Sequence, residues 1–155
     1  MKKRSSLPPT RRPPRCLEVR SSRISGKGLF ALDRVERGAR ILEYTGARVT
    51  YEEGLRRYEG TVPFHTFLIM LDDERSIDGG VGGSDARFIN HSCQPNCIAY
   101  IEGGRVFIYA RRPIPAGREL FLDYGLEAED HEKFSVYACR CSASRCRGTM
   151  AAVSP

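Results

Sequence analysis

The sequence predicts an α+β domain that is mostly β, and three observations carry that prediction. Short apolar stretches of strand length recur along the chain, at residues 16–20, 41–44, 66–71, 97–102 and 105–110. Turn-forming residues separate them, most clearly Gly103-Gly104 between the last two. One segment alone, beginning at Thr50, carries the start signals of a helix.

The elements follow in order. Residues 1–15 read as a mobile basic arm, with Pro8, Pro9, Pro13 and Pro14 among Ser, Thr and Arg. From Cys16 the composition changes, and 16–20 alternates as a strand does. Gly26-Lys27-Gly28 interrupts before Leu29-Phe30-Ala31, and 41–44 forms a further strand. At Thr50 the hydroxyl can cap the amide three residues on while Glu53 reaches back, and Leu55 and Tyr58 share one face. Gly60 is the expected stop, and Gly54 costs about 1 kcal/mol relative to Ala, so the helix is short.

Residues 66–71 and 74–77 flank Asp72-Asp73 as a hairpin. Gly79, Gly80, Gly82 and Gly83 predict a flexible connection. The pair 97–102 and 105–110 forms a second hairpin, and Pro113, Pro115 and Gly117 turn the chain into a last strand at 119–124.

Charge is unevenly placed. The chain of 155 residues has 25 Lys plus Arg against 19 Asp plus Glu. Six of the basic residues lie in 1–15, which has no acid, so the body is formally neutral. A nucleic-acid-binding face belongs in the fold and not only in a tail, so the basic balance does not by itself define the function. No apolar run is longer than the five residues of 67–71, far too short for a membrane span. No apolar stretch follows the basic N-terminus as a secretory signal requires, and six cysteines without one point to a reducing, intracellular compartment. There they read as thiols or metal ligands.

Cys139-Arg140-Cys141 and Cys146 place three thiols within eight residues. A disulfide across one intervening residue is strained, whereas this spacing suits thiolates converging on one tetrahedral zinc ion. A structural site needs a fourth ligand, and Cys16, Cys93, Cys97, His91 and His131 are the candidates. Cys16 and Cys97 lie in strand-like segments and read as small buried hydrophobes. The polar stretch Asn90-His91-Ser92-Cys93 lies between a glycine-rich loop and a strand, where ligand-binding loops concentrate.

Four pieces now combine. Residues 86–97, Ala-Arg-Phe-Ile-Asn-His-Ser-Cys-Gln-Pro-Asn-Cys, resemble the signature of SET-domain protein lysine methyltransferases. Gly26-Lys27-Gly28-Leu29-Phe30 resembles the family's cofactor loop, residues 119–125 its tyrosine motif, and Cys139, Cys141 and Cys146 its post-SET zinc module. Any one is a weak signal; four in this order across 16–150 are specific. The resemblance implies a SET fold of several small sheets with a C-terminal pseudoknot. It divides the chain into an arm at 1–15, a SET domain at 16–126, a post-SET segment at 127–150 and a tail at 151–155, without a cysteine-rich pre-SET module.

The resemblance also implies roles. Methyl transfer runs from S-adenosylmethionine to the amine of a protein lysine, histone or other. The backbone of Lys27, Gly28 and Leu29 lies against the cofactor, and Asn90 and His91 bind its amino-acid and adenine parts. Arg87 lies near that site, with an ion pair to Asp78 or Asp85 as its other reading. Tyr124 is the catalytic residue, touching both cofactor and amine. Phe67 lines the lysine channel or is plain core, and Leu122 occupies the place that influences how many methyl groups are added. Ala47 stands where the family commonly has glutamate, and Tyr44 is a strand residue near the site. Cys93 joins the three post-SET cysteines on one structural zinc. His65 and His131 match no motif. Expected partners are a lysine-containing basic protein and, through the arm, weakly, nucleic acid, in the cytoplasm or on chromatin; no membrane is expected. Two other readings stay open: a non-catalytic module of this fold recruited by its arm, and a small zinc-dependent nucleic-acid binder.

Overall fold

The computed structural model describes residues 14, 16–60, 66–127 and 136–152. The arm apart from Pro14, His65, His131 and the tail beyond 152 lie outside the described residues. Within them the chain forms eleven short strands in four small sheets, one α-helix and one 3-10 turn. The mostly β prediction is met.

The first sheet contains β1 (Leu17–Ser21), β2 (Lys27–Ala31) and β10 (Arg118–Glu119), with β2 in the middle. Leu17 and Val19 turn inward from β1, while Leu29 and Ala31 on the central strand are fully buried. The second sheet orders β3 (Arg40–Tyr44), β9 (Arg105–Ala110) and β8 (Cys97–Glu102). Its β8–β9 hairpin turns at Gly103 and Gly104, both with positive φ (56° and 72°), the backbone that a two-residue turn of this twist demands. The core sits between these sheets, where Leu29, Val35, Val106, Ile108, Ile114 and Leu120 are all buried to 1% exposure or less.

The third sheet orders β4 (Ala47–Thr50), β6 (Arg75–Asp78) and β5 (Leu68–Met70). The sequence reading did not predict β4, because Val49 is its one large apolar residue. Helix α1 (Tyr51–Arg57) starts as predicted, with Thr50 Oγ1 accepting from Glu53 N at 3.1 Å. Glu53 does not reach back; its carboxylate pairs with Arg57 one turn on, at 2.7 Å. The helix ends before Gly60, where Tyr58 leaves the helical conformation and gives its hydroxyl to Asp78 at 2.7 Å. Gly54 is buried, and a Cβ there would meet Leu68 at 3.0 Å, so this poor helix former lets α1 lie close on β5. The Asp72 turn forms as predicted, its carboxylate accepting from the amides of Glu74 and Arg75.

The predicted strand at 119–124 is broken at Leu120. Its first part is β10, and its second, β11 (Phe121–Leu122), runs parallel to β7 (Asn90–His91) in a fourth sheet. The Asn96 side chain bridges the break: its amide donates to Glu119 O at 2.8 Å and accepts from Phe121 N at 2.7 Å. Cys97 is buried as expected, but Cys16 is exposed, one residue before β1 begins.

Candidate active site and cysteine cluster

The β7–β11 pairing brings Asn90 and His91 beside the chain that leads to Tyr124. Phe121 lies opposite Asn90 and Leu122 opposite His91, and Ser92 N donates to Leu122 O at 2.8 Å. His91 is buried, and its Nδ1 accepts from Tyr124 N at 3.1 Å. That bond places the ring proton of the neutral form on Nε2, which lies 3.4 Å from Cys93 Sγ. Burial lowers the His91 pKa to about 4, so the ring is neutral.

Tyr124 is fixed at two points. Its ring meets His91 edge-on at 5.3 Å, and its hydroxyl donates to Ile89 O at 2.9 Å. Burial of the hydroxyl raises its pKa to about 12, so it is a donor at neutral pH. The residue as a whole remains 41% exposed. The hydroxyl is thus enclosed while part of the ring stays open to a ligand.

Asn90 ties three segments together. Its Nδ2 lies 2.9 Å from Lys27 O, 3.3 Å from Ser25 O and 2.9 Å from Glu119 Oε1. All three are acceptors, which fixes the amide's orientation and turns its oxygen away from them. Gly28 lies against the same carboxylate: a Cβ there would come well within 3.0 Å of Glu119 Oε1. Lys27 opens β2 with its ammonium 5.5 Å above the Phe88 ring, and Leu29 is buried beneath.

A second cluster surrounds the end of β6. Tyr44 O–H donates to Phe67 O at 2.7 Å, and Gly79 N donates to the same carbonyl at 2.8 Å. Tyr44 is buried, which pushes its pKa up, and Tyr124 is near enough to add to that rise. Phe67 packs edge-on to Phe88 at 6.4 Å between centroids. Among the described residues, Arg87 pairs with neither Asp78 nor Asp85, the partners of its alternative reading. Its guanidinium donates to Gly79 O at 3.2 Å and stacks on Phe88, because Asp78 is already taken by Arg57, Tyr58 and Gly80 N. The glycines at 79–83 serve close packing and not only flexibility. Side chains at Gly79, Gly80 and Gly83 would strike Tyr44, Tyr58 and the Gly79 carbonyl. Leu122 is buried on β11, and Ala47 opens β4 opposite Asp78.

The cysteines converge. The sulfurs of Cys93, Cys139, Cys141 and Cys146 all lie within 4.8 Å of one another. Cys93 Sγ is 3.7 Å from Cys139 Sγ and 3.9 Å from Cys146 Sγ. Four thiolates at about 2.3 Å from a tetrahedral zinc ion stand about 3.8 Å apart, so the donor set and its spacing fit that metal. Backbone amides of Cys93, Arg147 and Gly148 point at the sulfurs of Cys141, Cys93 and Cys146, as thiolate ligands require. Arg147 then reaches Asp123 with two bonds of 2.8 Å, linking the cluster to the residue before Tyr124.

Sequence reasoning singled out Asn90, His91, Tyr124 and the cysteines, and the structure brings them together. It left Glu119, Asn96 and Arg147 without roles, and ranked Tyr44 below the contacts it makes. Glu119 and Asn96 stand inside the motifs and Arg147 directly follows Cys146, so a signal was present for all three; Tyr44 acts through contacts distant in sequence.

Comparison with known proteins identifies the family. The family profile described as SET domain matches residues 26–125. Histone-lysine N-methyltransferase set-2 of Caenorhabditis elegans is 40% identical over 134 residues, 82% of this chain and 9% of that protein. Histone-lysine N-methyltransferase trithorax of Drosophila virilis is 36% identical over 132 residues, 81% of this chain and 3% of that protein. Histone-lysine N-methyltransferase 2B of Homo sapiens is 35% identical over 136 residues, 83% of this chain and 5% of that protein. The chain thus spans less than a tenth of the length of these relatives. The match covers the Gly26–Gly125 span that contains Asn90, His91 and Tyr124, and with it the chain belongs to the SET-domain family.

Proposed function

We propose that this chain transfers a methyl group from S-adenosylmethionine to the side-chain amine of a lysine in a basic protein, with a histone as the first candidate. The observation that carries the reading is Tyr124, whose hydroxyl is fixed and protonated on Ile89 O while its ring stays open beside Asn90 and His91. The relatives' names supply the histone, and a chromatin setting with it.

The residues present fit the cofactor. The Asn90 amide oxygen is turned away from its three backbone and carboxylate partners and is placed for an ammonium donor. Gly28 is buried against the Glu119 carboxylate, and only a residue without a side chain lets the chain between Lys27 and Leu29 pass this close to Asn90. The cofactor supplies a methyl group on positively charged sulfur, which departs as a neutral thioether once the methyl is bonded to nitrogen.

The chain's own residues then have distinct tasks. His91 orients Tyr124, since its Nδ1 is occupied by the Tyr124 amide. The Tyr124 oxygen, held on Ile89 O, would offer its lone pairs to a methyl group bearing partial positive charge, and the aromatic face would favour a cation. Phe67 and Leu122 wall the lysine channel. A free lysine has a pKa of about 10.4, and desolvation in such a channel lowers it, so the amine can lose its proton to solvent before transfer. Tyr124 is a donor at neutral pH and so is not the base. Cys93, Cys139, Cys141 and Cys146 hold one structural zinc, which fixes the C-terminal segment against β7. The basic arm at 1–15 adds weak contact with nucleic acid in the same assembly.

The test is transfer of labelled methyl groups from S-adenosylmethionine into a set of histones and a cell lysate. Incorporation into protein is expected. Binding of the cofactor with no transfer to any protein would leave a non-catalytic binding module.

A further inference from the structure

Tyr124 is anchored by its hydroxyl to Ile89 and by its amide to His91, both in the segment 89–91. The chain on either side of it is fastened elsewhere, to the segment that follows the cysteines. Arg147 directs two bonds of 2.8 Å at the two oxygens of Asp123, the residue before Tyr124. Two residues beyond Tyr124, Leu126 pairs in parallel with Ala151: its amide donates to Met150 O at 3.3 Å and its carbonyl accepts from Ala152 N at 2.8 Å. Residues 123–126 are thus held at both ends by 147–152, with Tyr124 between the fastenings.

The Arg147–Asp123 pair is the more exacting of the two. A fork of two parallel bonds fixes both distance and angle, which a single contact does not. The side chains are only 27% and 37% exposed. Asp123 carries the constraint past Tyr124, because its Oδ1 also accepts from Gly125 N at 3.3 Å. The same oxygen stands 3.7 Å from His91 Nδ1, the atom that receives the Tyr124 amide. At its other end Arg147 starts from the cysteine cluster, its backbone amide donating to Cys93 Sγ at 3.4 Å. Its Nε is buried with no acceptor among the described residues, a cost that a solvent-exposed ion pair does not carry.

We propose that Arg147 is a positioning residue: acting through Asp123, it sets the backbone of Tyr124 so that the phenol oxygen is aligned at the reacting atoms. It touches neither cofactor nor substrate itself. This rests on the reading of Tyr124 as the residue at the reacting atoms. The pair governs rate and not cofactor affinity, because Asn90 on β7 and Gly28 on β2 are held by other contacts. A displacement of about 1 Å at a reacting centre costs up to about 100-fold in rate while the surrounding contacts survive.

The test compares the wild-type full chain with Arg147→Gln, Arg147→Lys, Asp123→Asn and the double variant R147Q/D123N. Arg147→Gln should keep wild-type zinc content and cooperative melting, since the bond to Cys93 comes from the backbone. Its kcat should fall about 10- to 100-fold while the Kd for S-adenosylmethionine stays within about threefold. Arg147→Lys keeps the charge without the fork and should recover part of the loss. The double variant should be no slower than the slower single one, because the two residues act as a unit. In the ligand-free protein, amide hydrogen exchange should quicken at Tyr124 and Leu126 in Arg147→Gln and stay unchanged across 105–110. An unchanged kcat, an affinity that falls in step with kcat, or single effects that multiply in the double variant overturns the positioning role. Zinc loss or non-cooperative melting in both Arg147 variants makes the side chain structural and overturns it as well; where only Arg147→Gln is so affected, the kcat and Kd of Arg147→Lys decide. A wild-type chain that transfers no methyl group overturns the methyltransferase reading, and exchange at Tyr124 then still decides whether Arg147 positions it.

Discussion

Replacing Tyr124 with Phe removes one oxygen and leaves the ring, its edge-on contact with His91 and the backbone bond to His91 Nδ1 in place. What disappears is the donation to Ile89 O at 2.9 Å. A neutral hydrogen bond of this kind contributes about 1 kcal/mol net to stability. For a chain of this length that lowers the melting temperature by about 2–4 °C. Cofactor affinity should stay within about threefold, because Asn90 and the Gly28 backbone are unaffected. Catalysis should fall much further, since losing one preorganised polar group at the reacting atoms typically costs about 10²–10³ in rate. The assay is initial-rate methyl transfer at saturating cofactor and histone, beside thermal unfolding followed by circular dichroism. A Phe variant that retains wild-type kcat would refute the role given to the hydroxyl. A variant that loses activity only because it no longer melts cooperatively would show that the hydroxyl is structural.

Three further outcomes follow from the same contacts. Metal analysis should find one zinc per chain, and Cys146→Ser should lower the zinc content and expose the C-terminal segment to protease; unchanged metal content contradicts the four-sulfur site. Tyr58 and Tyr124 each have a pKa raised by burial to about 12, so the folded state holds protons that the unfolded chain releases near pH 10. Their contribution to stability is complete below pH 10 and lost as pH rises toward 12, so denaturant midpoints should fall across that window and fall less in Tyr58→Phe; a flat profile contradicts it. Gly83→Ala drives a Cβ into the Gly79 carbonyl that Arg87 holds, and should destabilise the chain by about 2 kcal/mol in urea unfolding; a neutral effect means the loop is freer than its packing indicates.

Local chemistry made much of this molecule legible. The Gly103-Gly104 turn, the Thr50 cap and the Asp72 turn are set by residues adjacent in the chain, and each forms where its residues predict. Three of the clustered cysteines were legible from short spacing and metal geometry, whereas the choice of the fourth, Cys93, came only from the resemblance to the family. What the sequence hid depends on distant partners. Strand β4 exists because β6 pairs with it along its length, and not through its own pattern. The split between β10 and β11 is stabilised by an asparagine more than twenty residues upstream. Arg87 abandons both nearby carboxylates because Asp78 is satisfied by α1 and the residue after it, a competition no local reading contains. The glycines at 79–83 look like a flexible linker until Tyr44, Tyr58 and the Gly79 carbonyl are seen beside them.

In the proposed reaction the side-chain nitrogen of lysine receives the methyl group. The most direct measurement is site-resolved mass spectrometry of a histone set after incubation with the full chain and isotopically labelled S-adenosylmethionine, run in parallel with Tyr124→Phe. Label is expected on lysine side chains with the wild type, and a strong reduction with the variant. Label on another residue type, or a cofactor-bound chain that leaves every histone and lysate protein unlabelled, would contradict it.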